Sequence, residues 1–264
     1  MPTREPEALD SRFPPQECPW QGLAEDTADR AALSEQILGI VSHDLRNPLS
    51  TMHVGAQLLA RMGATPQQLD IIDRMLRAGD RANRLVGDLL DFIQSRAGAG
   101  LAVTPREVGD ARALVCDAVE ELALVFPDRE LRHVHAGAGP VQVDPHRLVQ
   151  LLGNLVGNAM VYGFAHTPVT VCSRIGADRF TLSVHNHGEP IEQEALPRLF
   201  EPLARGDAAA GASTSVGLGL HIVNEIAKAH GGWIGVTSTA AEGTTFELTI
   251  PTVPVMADQE PVRT

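Results

Sequence analysis

The chain has 264 residues, of which 44% are hydrophobic and 4% aromatic, so it can build a sizeable core that must be mainly aliphatic. Its formal net charge of −12 and its sequence pI near 5.2 argue against a nucleic-acid-binding surface and against an anchor to an anionic membrane. No apolar run approaches the roughly eighteen residues that a direct membrane span needs.

The N-terminus and the cysteines favour a cytoplasmic protein. Residues 1–33 are acidic, contain several prolines and lack an apolar segment, which excludes a signal peptide and predicts a flexible leader. The three cysteines, Cys18, Cys116 and Cys172, are odd in number and widely spaced. They therefore predict neither a disulfide framework nor a paired metal motif, which suits a reducing compartment.

Two long helices are predicted within residues 34–98. From residue 38 to residue 62, apolar or small residues recur in alternating steps of three and four, which is a heptad seam. Gly63 ends this helix, and Thr65-Pro66-Gln67-Gln68 begins the next one. This tetrapeptide supplies an N-cap threonine, a proline at the first helical position and a glutamine in the reciprocal capping position.

The second helix repeats the seam between residues 72 and 93 and fades at the Ala-Gly-Ala-Gly sequence that follows. Two helices alone cannot bury such broad apolar faces, so we expect two chains to form a dimeric four-helix bundle. The alternative is a hairpin that packs on the second domain of its own chain.

Residues 101–252 have a mixed pattern, and residues 253–264 are predicted to be a disordered tail. Helices are predicted over 111–125 and 145–161, and a small, polar loop or lid over 206–215. Strands are predicted in antiparallel-looking pairs, which with the interspersed helices indicates an α+β sandwich. The predicted strands cover residues 130–135, 141–144, 169–172, 180–184, 233–237 and 245–250.

The first candidate reactive group is His43, in the stretch Ser-His-Asp-Leu-Arg-Asn-Pro-Leu. The heptad frame places His43 opposite the seam, with Asn47 one turn further along the same face. An attacking imidazole becomes cationic, and the neighbouring carboxylate of Asp44 can take its second proton. Pro48 predicts a bend beneath this face, but the seam continues beyond it, so the helix is not expected to end there. The alternative is an inert, exposed histidine.

The second candidate group is a pair of amides on an otherwise apolar helix. Asn154 and Asn158 are four residues apart, so both emerge on one face, and Tyr162 follows one turn later. Neutral oxygen ligands suit Mg²⁺ that is held largely by phosphates and water, and a tyrosine can stack on a nucleobase. The alternative is that both amides are bonded within the protein.

The third candidate is a glycine-containing loop that leads into a helix, Ser215-Val-Gly-Leu-Gly-Leu, with Gly217 and Gly219 near the helix start. Bare N–H groups at a helix N-terminus bind anions, and glycine lets phosphate oxygens approach. The loop is neither a Walker A nor a Rossmann fingerprint. The histidine pairs 133/135 and 185/187 lack further ligands at metal-binding spacing, so we do not expect a metal site there.

In this order, the motifs resemble the catalytic core of sensor histidine kinases from about residue 34 to residue 251. SHDLRNPLS is similar to the family's H-box, NLVGNAMVY to its N-box, VHNHGEPI to its G1 box, LPRLFEPLARG to its F-box and lid entry, SVGLGLHIV to its G2 box and GTTFELTIP to its closing strand. The resemblance implies a dimerisation and phosphotransfer hairpin followed by an ATP-binding domain of the Bergerat (GHKL) fold.

The resemblance also implies roles for single residues. His43 would be the phosphoacceptor, Asp44 its base and Asn47 a residue used in phosphatase chemistry on the partner. Asn158 would coordinate Mg²⁺, with Asn154 in support, and Tyr162 would lie against adenine. The remaining residues implied for ATP binding are Asn186, Gly188, Arg205, Gly217, Leu218, Gly219 and Thr244.

Four positions depart from the family pattern. Asn186 replaces an aspartate that accepts from the adenine amino group, which leaves an acceptor without charge and predicts weaker nucleotide binding. Val161 replaces a basic residue, and Arg205 is expected to compensate. Pro190 and Ser215 stand where the family usually has glycine.

The implied activity is autophosphorylation of His43 by ATP and Mg²⁺, followed by transfer to an aspartate of a response-regulator receiver domain. The implied partners are a second copy of the chain, that receiver domain and an upstream sensor protein. One rival is a non-catalytic dimeric scaffold or phosphotransfer protein with a degenerate ATP pocket. Another is an ATPase of the same fold from a chaperone or mismatch-repair class, which the H-box hairpin argues against.

Overall fold

The structure is a computed structural model that describes Leu45 and residues 47–96, 100–204 and 217–252. His43, Asp44, Arg205 and the whole predicted lid, including Ser215, lie outside the described residues, as do the leader and the tail. Asn47 and the remaining predicted nucleotide-site residues are within them.

The described N-terminal part is a helical hairpin, as predicted. The first helix, α1, covers residues 47–61, and the second, α2, spans Pro66–Gln94. Pro48 lies inside the helical segment and does not end it. The capping box of α2 is confirmed, because the Thr65 side chain accepts from the Gln68 backbone and the Gln68 side chain accepts from the Thr65 N–H at 2.8 Å. Gly63 has φ +85°, which favours glycine at the turn between the helices.

Much of the predicted seam remains on the surface of the single chain. Met52, Leu59 and Met62 of α1 are 56%, 53% and 80% exposed, and Met75 and Leu89 of α2 are also exposed. Ala56 and Ile72, by contrast, are buried in the hairpin. A continuous row of exposed apolar side chains favours association with another surface.

The C-terminal part is an α+β sandwich, which confirms the predicted fold class. Its helices lie on one face of a sheet, and they are α3 (Ala111–Val125), α4 (Pro145–Tyr162) and α5 (Gly219–Ala229). Its strands are β1 (Arg106–Val108), β2 (Leu131–Ala136), β3 (Val141–Val143), β4 (Val169–Ile175), β5 (Arg179–Asn186), β6 (Trp233–Thr239) and β7 (Gly243–Pro251). The five-stranded sheet has the order β2-β4-β5-β7-β6, and β1 pairs with β3.

Alternating side chains of the sheet and one face of each helix form the core. Along β5, buried and partly buried residues alternate, which is the period expected of a strand with one covered face. The largest fully buried side chains are aliphatic apart from one phenylalanine, as the composition predicts: Phe180, Leu151, Leu152, Leu155, Leu182, Ile222, Ile226, Leu248 and Ile250.

Two features differ from the sequence prediction. The prediction that the strands form antiparallel pairs is wrong for β2, which runs parallel to β4. The segment that connects β2 to β4 contains α4, and local sequence patterns do not reveal such a crossover connection. The short strand β1 was not predicted, because three residues carry no period of their own.

Candidate nucleotide-binding site

Helix α4 carries the two predicted asparagines and places Asn154 beside the first residue of α5. Its N-cap is Asp144, whose carboxylate accepts from the backbone N–H groups of His146, Arg147 and Thr104. Burial raises the pKa of this carboxyl, but the three backbone N–H bonds outweigh burial and leave the pKa below its usual value. Leucine and valine side chains bury the opposite face of α4, so Asn154 and Asn158 remain partly exposed at the rim of the core.

Asn154 links α4 to the predicted phosphate loop. Its Nδ2 donates to the carbonyl of Gly219 over 3.4 Å, and a Cβ at Gly219 would lie 3.5 Å from the Asn154 Cγ. Gly219 is the first residue of α5. The structure therefore brings the asparagine helix and the glycine loop together, two elements that the family resemblance assigns to one nucleotide site.

The loop itself has a backbone that requires glycine at residue 217. Gly217 has φ +77°, and a Cβ there would lie 3.0 Å from the Ala204 carbonyl oxygen. Its own carbonyl accepts from the N–H of Leu203, which itself has φ 63°. These contacts join the two ends of the segment that contains the predicted lid. Leu218 is buried and anchors the start of α5.

Asn186 lies at the base of a second group of glycines, at the end of β5. It is 4% exposed, and its Nδ2 lies close to Gly163 and Gly188, where an added Cβ would approach it to 3.1 Å. Gly163 and Gly188 form a bridge between the two segments, and a Cβ on either would collide with backbone carbonyls. Only glycine fits at these positions.

Thr244 on β7 stands opposite Asn186 in the sheet register and is 5% exposed. Its hydroxyl lies 2.7 Å from that of Ser238, which in turn accepts from the N–H of Ile191. This chain of hydrogen bonds fixes the segment that follows Gly188.

The end of α4 carries the predicted aromatic residue. Tyr162 is half-exposed, and Val161 beside it is 53% exposed. Pro190 is exposed on the segment after β5. Asn47 lies apart from this site, on the exposed part of α1, where its carbonyl accepts from the Thr51 hydroxyl at 3.0 Å.

Arg129 is a site-supporting residue that the sequence reasoning missed. Its guanidinium donates to the carbonyl oxygens of Ala159, Met160, Gly163 and Thr167, and so satisfies the open end of α4 next to Tyr162. Burial lowers the pKa of this guanidinium. The only sequence signal is an arginine in the turn before a strand, more than 29 residues from its partners.

The residues present fit a nucleotide and a cation that its phosphates would carry. The Asn158 and Asn186 side-chain amides have no hydrogen-bond partner among the described residues. Asn186 is almost completely buried, where an amide is expected to find a partner, and Asn158 is partly exposed at the rim, so both groups are suited to an external ligand. Within the described ranges, no group of three or more metal-ligating side chains of His, Cys, Asp or Glu occurs.

One histidine of each pair has a hydrogen-bond partner within the sheet, whereas the Nδ1 of His135 is buried without a partner among the described residues. His133 lies 2.9 Å from the Ser173 hydroxyl, and His185 lies 3.0 Å from that of Thr245, with its ring 4.9 Å from the ring of His187. Burial lowers the pKa of both His133 and His185.

Comparison with known families identifies both parts of the chain. Residues 33–98 match the family model of the His Kinase A (phospho-acceptor) domain. Residues 143–254 match the model of the histidine kinase-, DNA gyrase B- and HSP90-like ATPases. The hairpin and the sandwich are the two parts of a histidine kinase catalytic core.

Curated relatives agree with this assignment. A bacteriophytochrome of Pseudomonas aeruginosa is 31% identical over 77% of this chain and 28% of its own length. The sensor protein IrlS of Burkholderia pseudomallei is 31% identical over 80% of this chain and 46% of its own. The sensor histidine kinase ZraS of Escherichia coli is 31% identical over 80% of this chain and 44% of its own length. The chain therefore spans less than half the length of these relatives.

Solved structures show the same fold. Full-length ShkA in complex with AMPPNP matches with a TM-score of 0.63 at 27% identity, over 83% of this chain and 46% of that one. The Acinetobacter baumannii histidine kinase AdeS matches with a TM-score of 0.54 at 20% identity, over 80% of this chain and 98% of that one. In the part of the chain that the structure describes, no helix is long and apolar enough to cross a membrane.

Proposed function

We propose that the protein is an ATP-dependent, autophosphorylating histidine kinase of a two-component system. The observation that carries this proposal is the convergence of Asn154 on α4 with Gly219 at the start of α5, in a chain whose preceding hairpin contains the H-box histidine. The sandwich would bind the nucleotide, and His43 would receive its terminal phosphoryl group.

Different residues of the pocket bind the base and the phosphates of the nucleotide. The carbonyl oxygen of the Asn186 amide accepts from the adenine amino group, and Tyr162 covers the base. The backbone N–H groups at Gly217, Leu218 and Gly219 face the phosphates at the positive end of the α5 dipole. Glycine at 188 and Thr244 complete the base pocket, and Arg205 contacts the phosphates from the lid.

Asn158 is the proposed protein ligand of Mg²⁺, and Asn154 holds the adjoining backbone. When bound, Mg²⁺ neutralises the charge that develops on the phosphates. The unpaired Asn158 amide supports this role, because it is free to turn toward a ligand.

The chemical step joins an imidazole nitrogen of His43 to the γ-phosphorus and breaks the bond from that phosphorus to the ADP oxygen. The Asp44 carboxylate stabilises the imidazolium and accepts the proton of its other nitrogen, which leaves a phosphoramidate. Catalysis rests mainly on positioning and on charge neutralisation.

We further propose that the phosphoryl group passes to an aspartate of a response-regulator receiver domain, with Asn47 used in the reverse, phosphatase reaction. The exposed seam of α1 and α2 would form the homodimer interface. The upstream signal would arrive from a sensor protein or a further region. Two described free cysteines, Cys116 and Cys172, suit a cytoplasmic location.

The test is incubation of the full chain with γ-labelled ATP and Mg²⁺. The proposal predicts label that is acid-labile and base-stable, that is absent from His43→Gln and Asn158→Ala, and that persists in a His53→Gln control. Absence of label from folded wild-type protein at saturating ATP would contradict the proposal.

One alternative function has structural support. Asn186 carries no charge and Val161 is an exposed apolar residue at the pocket rim, as a non-catalytic scaffold with a degenerate ATP pocket would allow. Such a scaffold would still dimerise and would accept phosphoryl groups only from a phosphorylated regulator.

A further inference from the structure

The last turns of α2 contact the sandwich through a closed network of buried polar groups. Asp91 is 7% exposed, and both of its carboxylate oxygens accept from the Arg147 Nη1 at 2.9 and 2.8 Å. The same nitrogen donates to the Gln150 Oε1 at 2.8 Å, and the Gln150 Nε2 donates back to Asp91 at 2.7 Å. All three side chains thus bond one another between α2 and α4.

A second carboxylate extends this network toward the nucleotide site. Asp88 lies one turn before Asp91 on α2, beside the side chains of Gln150 and Asn154, whose amides lower the pKa of its carboxyl. Burial nevertheless raises the pKa of Asp88 to about 6, and the charge of Asp91 makes a smaller contribution to this rise. Asn154 is the residue that also bonds Gly219 of the phosphate loop.

An aromatic contact continues the same interface onto α5. The Phe92 ring packs edge-on against His221 with a centroid distance of 5.5 Å. The Nδ1 of His221 lies 3.2 Å from the carbonyl oxygen of Phe200, on the segment that leads to the lid. Its Nε2 is buried without a partner among the described residues. The helical hairpin therefore contacts both helices that border the nucleotide site.

We refer to Asp88, Asp91, Arg147 and Gln150 as the domain latch. We propose that the domain latch holds the sandwich against α2 in a resting state and that its closure opposes nucleotide binding. This inference rests on the proposed nucleotide site.

Two physical arguments predict that closure of the domain latch weakens nucleotide binding. A bound triphosphate would place further negative charge near the carboxylates of Asp88 and Asp91, and like charges in a partly desolvated interface repel. Asp88 also lies beside the Asn154 amide, which bonds Gly219 and which the nucleotide site needs for its own support. Coupling between two sites is reciprocal, so a nucleotide must weaken the latch by the same factor by which the latch weakens nucleotide binding.

The test measures the affinity of the full chain for a fluorescent, non-hydrolysable ATP analogue in the presence of Mg²⁺. Asp91→Asn keeps the shape of the side chain and removes its charge, and we expect it to tighten binding at least about threefold. The control is Asp70→Asn, on an exposed face of α2 where Asp70 pairs only with Arg74 of the same helix. The control variant should bind like the wild type.

A second measurement does not depend on a variant. The ATP analogue should increase backbone hydrogen exchange over residues 84–94 of wild-type α2, because the latch opens as the nucleotide binds. Unchanged affinity in Asp91→Asn, or unchanged or slower exchange over this segment, would overturn the latch while leaving the kinase proposal intact if the wild type binds nucleotide. Wild-type protein that binds no nucleotide would overturn both proposals.

Discussion

Asn186 and Thr244 stand directly opposite each other on β5 and β7, each about 95% buried, with a free amide on one and a bonded hydroxyl on the other. Asn186 is thus a buried, uncharged residue at the position where the family resemblance implies an aspartate. This arrangement explains how a substitution at a pocket residue can change affinity without changing the fold.

Asn186→Asp should tighten ATP binding by about fivefold, because a charged acceptor bonds the adenine amino group more strongly than a neutral one. The measurement is the Kd for ATP by calorimetry. Gln193→Glu, which adds the same charge at an exposed position of the same domain, should leave the Kd unchanged. ATP binding by Asn186→Asp that is equal to or weaker than that of the wild type would show that residue 186 does not accept a hydrogen bond from the adenine amino group.

Gly217→Ala should weaken nucleotide binding and lower the free energy of unfolding by about 1 kcal/mol or more, since alanine is strained at φ +77° and its Cβ would press on the Ala204 carbonyl. Gly153→Ala is the control, because its Cβ would meet nothing within 4 Å in the middle of α4. That control should stabilise the helix slightly. Denaturant unfolding and ATP titration of both variants check the pair.

Arg129→Ala should destabilise the sandwich by about 2–3 kcal/mol, because it leaves several carbonyl oxygens at the end of α4 without a donor. Arg129→Lys should recover only part of this loss, since one ammonium cannot reproduce the guanidinium fork. Arg132→Ala removes an exposed pair with Glu130 and should cost less than about 0.5 kcal/mol. Thermal unfolding of the three variants measures these differences. Equal melting temperatures for Arg129→Ala and Arg132→Ala would contradict this account.

The stability of the sandwich should fall as the pH is lowered through the range of the His133 titration. Burial, and next the neighbouring His135 and Arg112, depress the pKa of His133 in the folded state. The unfolded chain then binds more protons below about pH 6.5, so stability is fully present above that pH and is lost as the pH falls. His133→Asn should flatten this part of the profile, and a profile identical to the wild type would exclude His133 as the cause.

Leu59→Glu should convert the chain from dimer to monomer, because Leu59 lies in the exposed apolar seam of α1. Val54→Glu changes an equally exposed residue outside the seam and should leave the dimer intact. Light scattering after size-exclusion chromatography measures both. A monomeric wild type, or a dimeric Leu59→Glu variant, would argue against the proposed bundle.

Local signals in the sequence predicted much of this structure. The capping tetrapeptide at Thr65, the helix over 111–125 and the helix that begins at Pro145 all follow from residues close together in the chain, and the structure confirms them. The assignment of the asparagine helix and the glycine loop to one nucleotide site came from the order of family motifs and not from such local signals.

The remaining features depend on contacts between distant segments. The parallel pairing of β2 with β4, the carbonyl contacts of Arg129 and the bond between Asp91 and Arg147 join residues that are far apart in sequence. Periodicity describes which face of an element is apolar, but it does not say which element covers that face. The local sequence around an arginine or an aspartate in a polar turn or helix therefore does not predict that its side chain has a buried partner.

The most direct test of the central claim is the location of the phosphoryl group after reaction with ATP and Mg²⁺. Mass spectrometry at neutral pH should find one HPO₃ group on His43, within the tryptic peptide of residues 31–46, and none when Asn158 is alanine. A phosphoryl group on another residue, or none on folded wild-type protein that binds ATP, would contradict the account.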